Sequence, residues 1–167
     1  MGDGGEIYAT YTPELCEAMG TLVDGADVLM PNLTEASMLT GRTYPGQNID
    51  NAEVNGIIDA LLALGAKNVD RQDGIIRNYV ASATSGASGK QELAHDKLPF
   101  MTHGTGDAFA SALCGAVMAG RPLAESAHIA GEFVRHAMES TQFQPNHTER
   151  GVSFELNLDE LTRLVRR

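Results

Sequence analysis

A Gly-Thr-Gly-Asp segment at residues 104–107 is the sharpest group of residues with chemical potential. It precedes a small-residue run, Ala108 to Ala119, that predicts a helix. Two glycines let a backbone come close to a ligand, while unpaired amides and the helix dipole attract an anion. An aspartate beside that anion is useful when a hydroxyl must lose its proton to attack a phosphoryl group. An ordinary glycine turn with an acidic cap fits the same four residues.

The glycines of this segment have separate expected roles. Gly104, Thr105 and Gly106 would supply amides to the anion, and Asp107 would be the base. Gly106 is further expected either to adopt a conformation that only glycine tolerates or to allow a close approach of the phosphate.

Asn32 and Glu35 form a second group, after the apolar run 26–30 and Pro31. That run predicts a buried parallel strand, and α/β folds bind ligands at the carboxyl ends of such strands. A carboxylate there can hold Mg²⁺ through water. The same spacing also matches a capping box, which would serve only to start a short helix. Asp3, in a glycine-rich turn, is a further acid of this type, and a solvated turn residue is its alternative.

Other common catalytic patterns are missing from the sequence. The five histidines show no zinc-ligand spacing with each other or with the two cysteines. Neither the G-x-S-x-G elbow of many hydrolases nor the Walker phosphate loop occurs. The sequence therefore concentrates its chemistry at residues 104–107 and at the acids near the N-terminus.

Capping residues and apolar periodicity predict the elements that position these groups. Helices are expected at 13–24, 32–40, 51–64, 108–119, 122–138 and from 157, and strands at 26–30, from 66, at 75–81 and at 91–98. Asp70 to Gly74 reads as a polar turn that cuts the second strand short. The alternation predicts one α/β domain over residues 1–167, with a mainly parallel sheet flanked by helices.

Composition limits the class of protein further. The chain has 12 Lys+Arg and 22 Asp+Glu, a net charge of −10, and 43% hydrophobic residues. This acidic balance disfavours nucleic acid as a partner, and no apolar run is long enough to span a membrane. We therefore expect a folded cytoplasmic protein in which Cys16 and Cys114 are reduced core thiols.

The motifs also match a known family in order and spacing. They are Met1-Gly2-Asp3 with Ile7-Tyr8, the run Ala26 to Glu35 with Leu39-Thr40-Gly41, and Gly104 to Ala110. Together they resemble the pyridoxal/pyridoxamine kinases of the ribokinase-like superfamily. The resemblance covers nearly the whole chain but only the C-terminal part of the family's domain, so an incomplete ribokinase-like fold without its N-terminal half is expected.

The resemblance implies a function and a set of site residues. The function is ATP-dependent phosphoryl transfer to the 5′-hydroxymethyl group of pyridoxal, pyridoxamine or pyridoxine. Asp107 matches the catalytic base, and Gly104, Thr105 and Gly106 match the anion hole for the γ-phosphoryl group. Asn32, Glu35 and Asp3 match residues near the ATP phosphates and Mg²⁺, with Asp3 and Glu35, the latter through water, at the metal.

Two alternatives remain open from the sequence. A hydroxymethylpyrimidine kinase has a similar fold and a similar glycine motif, and a remnant that only binds nucleotide or forms dimers would keep the same residues. The family's N-terminal part carries most of the vitamin pocket, so the chain on its own is expected to be a poor kinase. The family's habit also implies a homodimer.

Overall fold

A computed structural model describes residues 1–23, 26–46, 49–64, 68–73, 75–81, 90–96, 98–100 and 102–166, with the backbone alone described at 68–73, 75–78 and 96. The chain divides into two compact units, Met1–Glu92 and Leu93–Arg167. The expectation of a single domain over residues 1–167 stays a prediction.

The N-terminal unit opens with a small antiparallel hairpin. Strands β1 (Gly2–Asp3) and β2 (Glu6–Ile7) pair with Asp3 opposite Glu6. The two turn residues, Gly4 and Gly5, have φ angles of +59° and +87°. Positive φ at both central positions is typical of the tightest hairpin turn, so glycine is the residue this turn requires.

Three helices follow, and each begins at a residue that caps it. They are α1 (Pro13–Gly20), α2 (Leu33–Leu39) and α3 (Asn51–Ala63). The side chains of Thr12, Asn32 and Asp50 each accept a hydrogen bond from the amide three residues further on. The predicted starts of these helices are confirmed, because side-chain caps are local signals that a sequence displays directly.

The core of this unit lies around α2 and α3. Buried residues in it are Leu33, Ala36, Ile49, Val54, Ile57, Ile58, Leu61, Tyr79 and Ala81. The spacing of Val54, Ile57, Ile58, Leu61 and Leu62 predicts one apolar face on α3, and this is confirmed, since the first four are buried and Leu62 packs partly buried against them. The sequence also predicts one apolar face from Leu15, Met19 and Leu22, but α1 ends at Gly20 and buries no residue, and Leu15 and Leu22 are exposed.

Three further strands, β3 (Asn68–Asp73), β4 (Ile75–Val80) and β5 (Gln91–Asp96), form a sheet in that order. Strands β3 and β4 are antiparallel, with Asn68 opposite Val80 and Asp73 opposite Ile75. The predicted polar turn is therefore wrong at residues 70–73, and Gly74 lies outside the described residues. A neighbouring strand supplies ladder hydrogen bonds that sequence propensity does not anticipate.

The predicted strand at residues 26–30 is also corrected. These residues form no strand, and the single bridge nearby is at Asn32. A strand is defined by ladder bonds to a partner, which an apolar run by itself does not provide. The two strand pairs whose register is described are both antiparallel.

The C-terminal unit is mainly helical. It contains α4 (Thr105–Met118), α5 (Leu123–Thr141), α6 (His147–Arg150), a 3₁₀ turn (Phe154–Asn157) and α7 (Leu158–Arg166). Helices α4 and α5 pack against each other through faces rich in alanine. Within the described ranges, no helix is long and apolar enough to cross a membrane.

Both cysteines are free thiols, as expected, but their burial differs from the prediction. Cys16 is half-buried on α1, and Cys114 is exposed on α4. The prediction of a core thiol is therefore wrong for Cys114, because the apolar residues around it in sequence lie on more than one face of the helix.

His95, on β5, is a buried titratable side chain in the C-terminal unit. It is 9% exposed, and its ring lies against Gly131, where a side chain would collide with it. Its Nδ1 lies 3.3 Å from Glu132 Oε1, and the ring of His128 stacks on it with centroids 6.1 Å apart. Burial lowers the pKa of His95, against the opposing charge of Glu132.

We predict that His95 makes folding sensitive to mild acid. Because its folded pKa lies below the usual value of about 6.5, the folded state binds fewer protons than the unfolded state, and stability falls as pH drops through that value. Urea unfolding measures the free energy of unfolding at about pH 7.5 and at about pH 5.5. The decrease between these two pH values should be larger in wild type than in His95→Gln. His103→Gln, at an exposed histidine, is the control and should keep the wild-type loss. Equal losses in all three proteins would contradict the prediction.

Candidate active site

The Gly-Thr-Gly-Asp segment forms the start of α4. Gly104 is the N-cap, with φ +84° and ψ 3°, and among the described residues no side chain caps the helix. The first bond within the helix runs from the amide of Ala108 to the carbonyl of Gly104, at 3.0 Å. The amides before Ala108 therefore have no acceptor inside the helix. A helix start of this kind attracts an anion.

Asp107 is the third residue of α4 and is exposed. Helix α4 starts three residues earlier than predicted, so the aspartate belongs to the same first turn as the open amides. Its carboxylate is accessible to a hydroxyl group brought to that turn. The alternative of an acidic N-cap does not describe this helix, because the N-cap is Gly104.

Residues from the end of the unit hold the chain just before this turn. The hydroxyl of Thr102 donates to the carbonyl of His147 at 2.8 Å, and the amide of Val152 donates to the carbonyl of His103 at 2.9 Å. Gly151 has φ +84°, and a Cβ there would lie 3.1 Å from the His103 oxygen. These contacts give the glycine segment a defined starting point.

The left-handed glycine is Gly104 and not Gly106. Gly106 lies inside α4 without a positive φ, and a Cβ added there would meet nothing within 4 Å. The expectation that Gly106 adopts a glycine-only conformation is therefore wrong. That it allows a phosphate to approach closely stays a prediction.

In the N-terminal unit, Asn32 and Glu35 form the predicted capping box. Asn32 Oδ1 accepts from the Glu35 amide at 2.9 Å, and Glu35 Oε2 accepts from the Asn32 amide at 3.1 Å. Asn32 Nδ2 also donates to the Gly2 carbonyl at 2.8 Å, and Glu35 Oε1 accepts from the Met1 nitrogen at 2.6 Å. Both side chains therefore join α2 to the hairpin.

Asp3 is exposed on that hairpin, at the end of β1. Burial and the negative charges of Asp3 and Glu35 raise the pKa of Tyr8. The amide of Tyr8 donates to the carbonyl of Met1 at 3.1 Å, so its backbone lies beside the start of the strand that bears Asp3. Sequence reasoning gave Tyr8 no role, because only its position just after the hairpin could have indicated one.

The donor set suits a hard divalent cation. Mg²⁺ prefers oxygen ligands, is commonly held by one or two carboxylates and keeps several waters. Asp3 is open to solvent, and each Glu35 oxygen, with one donor already, has a second lone pair. Among the described residues there is no group of three or more His, Cys, Asp or Glu that could hold a metal. The N-terminal unit would thus bind a divalent cation through two carboxylates, with water as the remaining ligands.

The predicted site residues fall into two clusters. Asp3, Asn32 and Glu35 come together in the N-terminal unit, through the contacts between α2 and the hairpin. Gly104, Thr105, Gly106 and Asp107 come together in the C-terminal unit, in one helical turn.

Comparison with known proteins places the chain in a family. Residues 7–153 match the family model described as phosphomethylpyrimidine kinase, and the chain therefore belongs to that family. A hydroxymethylpyrimidine/phosphomethylpyrimidine kinase of Staphylococcus aureus (strain MRSA252) is 31% identical over 132 residues. That match covers 72% of this chain and 44% of the relative.

Solved structures of pyridoxal kinases and of a related protein share the fold. A phosphomethylpyrimidine kinase-type protein from Bacteroides thetaiotaomicron superposes with a TM-score of 0.86 at 24% identity, over 97% of this chain and 57% of that one. Pyridoxal kinase from Lactobacillus plantarum gives 0.80 at 28% identity, over 99% and 59%. Pyridoxal kinase from Leishmania donovani in complex with ADP gives 0.79 at 21% identity, over 97% and 56%. The chain thus spans under three fifths of each.

These matches confirm the resemblance and the fold class predicted from the motifs. The chain is an α/β protein with part of a ribokinase-like fold, and its family is one of phosphotransferases.

Substitution of the two glycines should separate their roles. Gly104→Ala places a side chain at φ +84° and should destabilise the protein by about 1 kcal/mol or more. Gly106→Ala enters open space at a helical position and should be neutral or gain up to about 1 kcal/mol. Urea unfolding of both variants measures the difference. An equal loss in both would contradict the assignment of Gly104 as the left-handed residue.

Proposed function

We propose that this chain carries the phosphate-binding and base-bearing part of an ATP-dependent kinase that phosphorylates a hydroxymethyl group on a pyridine or pyrimidine ring. One observation carries the proposal: α4 begins at a left-handed glycine with open amides, and Asp107 is exposed in the same turn. An anion site and a proton acceptor side by side are what attack by an alcohol on a phosphoryl group requires.

The chain's own groups divide the work of that reaction. The amides of Gly104, Thr105 and Gly106 hold the γ-phosphoryl oxygens and stabilise the charge that builds up on them. The carboxylate of Asp107 takes the proton of the alcohol as the alcohol oxygen attacks the γ-phosphorus, the bond from that phosphorus to the β–γ bridging oxygen breaks, and ADP leaves with the electron pair. The fixed start of α4 keeps both groups in one geometry, so most of the rate comes from positioning and electrostatics.

ATP and Mg²⁺ are the proposed cofactors. ATP as phosphoryl donor is supported by the kinase family and by the ADP bound to the Leishmania enzyme. Asp3 and Glu35, the latter through water, would hold the Mg²⁺, which neutralises charge on the phosphates when bound. Asn32 keeps Glu35 in place through the capping box.

Two alcohols compete as substrate. The motif resemblance and the pyridoxal kinase structures favour the 5′-hydroxymethyl group of vitamin B6 compounds. The family match and the Staphylococcus relative favour hydroxymethylpyrimidine to the same degree. Assays of ADP release with pyridoxal, and separately with 4-amino-5-hydroxymethyl-2-methylpyrimidine, test the choice. Turnover of one alcohol only would identify the substrate class.

A non-catalytic role is the alternative from another class. The chain spans 44% of its curated relative, and a part of that size could bind nucleotide without transferring phosphate. Calorimetric titration with MgADP distinguishes the possibilities. Binding without turnover of either alcohol supports the remnant, and absence of binding overturns the proposed function.

We predict that Asp107→Asn, made in a complete kinase that contains this part of the chain, separates binding from chemistry. Loss of a positioned general base should lower the transfer rate by roughly 10²- to 10⁴-fold. MgADP affinity should stay within about threefold of wild type, because the amides of the turn are unchanged. Asp159→Asn, at an exposed acid in the first turn of α7, is the matched control and should change neither quantity. Wild-type turnover in Asp107→Asn would remove Asp107 from the mechanism.

We also propose that the protein is a cytoplasmic homodimer. Free cysteines fit a reducing compartment. Large apolar side chains are exposed in both units, among them Leu22 at 63%, Met118 at 81% and Phe143 at 82%. Exposed apolar surface favours association. Multi-angle light scattering should give twice the 17.8 kDa mass of the chain, and a monomer at micromolar concentration would refute the dimer.

A further inference from the structure

The hydroxyl of Thr34 contacts the turn that follows Asp3. Thr34 lies in the first turn of α2, between Asn32 and Glu35, and is 3% exposed. Its Oγ1 accepts a hydrogen bond from the Gly5 amide at 2.9 Å. In a two-residue hairpin turn, the amide of the second turn residue is not part of the ladder. Thr34 therefore gives that amide its partner.

Two more contacts hold the same hairpin. Asn32 Nδ2 donates to the carbonyl of Gly2 at the start of β1. The ring of Tyr44 packs on Gly5, where an added Cβ would lie 2.6 Å from a ring carbon. The hairpin is thus held at its first strand by Asn32 and at its turn by Thr34 and Tyr44.

The two acids of this unit lie where the hairpin meets the start of α2. Asp3 precedes the turn held by Thr34, and Glu35 follows Thr34 directly in the chain. Asn32 holds the carbonyl of Gly2, and Glu35 accepts from the nitrogen of Met1, so the strand that bears Asp3 starts beside Glu35. A change in the hairpin would move Asp3 while Glu35 stays on α2.

We propose that Thr34 is a positioning residue that fixes Asp3 relative to Glu35 through the Gly5 amide, so that both carboxylates bind one divalent cation. The inference rests on the proposed function, in which that cation accompanies the nucleotide phosphates. Loss of the hydroxyl leaves the turn amide without its acceptor and frees the hairpin from α2.

Thr34→Val and Thr34→Ser form the matched pair that tests this role. Valine keeps the shape and removes the acceptor, whereas serine keeps the acceptor. ADP binding is measured by calorimetry with Mg²⁺ and in EDTA. Thr34→Val should weaken the Mg²⁺-dependent part of the affinity by about five- to tenfold, the change expected for one hydrogen bond, and leave binding in EDTA unchanged. Thr34→Ser should restore the wild-type value.

Hydrogen exchange of the Gly5 amide, followed by NMR, tests the contact without nucleotide. Exchange should be faster in Thr34→Val than in wild type and Thr34→Ser. Circular dichroism checks that the variants fold, and Thr34→Ala replaces Thr34→Val if valine prevents folding. Equal weakening of binding with and without Mg²⁺, or unchanged exchange at Gly5, would overturn the positioning role.

Mg²⁺ alone keeps the two proposals distinguishable. If the wild-type chain binds no nucleotide, the proposed function fails. The positioning role is then tested by the NMR signals of the Tyr8 ring. These signals are assigned by comparison with Tyr8→Phe. Millimolar Mg²⁺ should shift these signals in wild type and in Thr34→Ser, and shift them less in Thr34→Val. The same response in all three proteins, or no response in wild type, would overturn it.

Discussion

The first turn of a helix leaves backbone amides without an acceptor inside the helix, and these amides must find partners elsewhere. Helices α1, α2 and α3 meet this requirement with the side chains of Thr12, Asn32 and Asp50. Helix α4 begins at Gly104, which has no side chain to offer. The amides that side chains occupy elsewhere are therefore open at α4, next to an exposed aspartate. In the part of the chain that the structure describes, helices α5 and α6 also begin without a side-chain cap, so the candidate phosphate site follows from the open amides of α4 together with Asp107 in the same turn.

In the N-terminal unit, by contrast, a side chain does bind a free amide at the start of α2. Asn32 caps α2 and, with its other amide atom, holds the carbonyl of Gly2. Thr34, two residues further on in the same turn, holds the hairpin turn at Gly5. A cap that also binds the hairpin connects helix stability to the position of Asp3. Changes in the first turn of α2 are thus changes in the arrangement of the acids.

Glycine has distinct uses in the two units. Gly4 and Gly5 let the hairpin turn in two residues, and Gly5 also leaves space for the ring of Tyr44. Gly104 starts α4 with a left-handed backbone. Gly151 passes close to the carbonyl of His103, the residue before Gly104. In each case the absence of Cβ permits a backbone path that a larger residue would strain. Gly106, by contrast, has open space around it, so only a ligand could make glycine necessary there.

The sequence by itself determined the features that depend on near neighbours. The starts of α1, α2 and α3, the buried face of α3 and the capping box of Asn32 and Glu35 were predictable, because caps and apolar periodicity act over a few residues. The Gly-Thr-Gly-Asp segment and its family resemblance were visible for the same reason. Only the tertiary structure decided that residues 70–73 form a strand, that residues 26–30 do not, and that Tyr8 and Thr34 join the acids. These outcomes depend on ladder bonds and contacts between residues far apart in the chain, whose geometry no local pattern specifies.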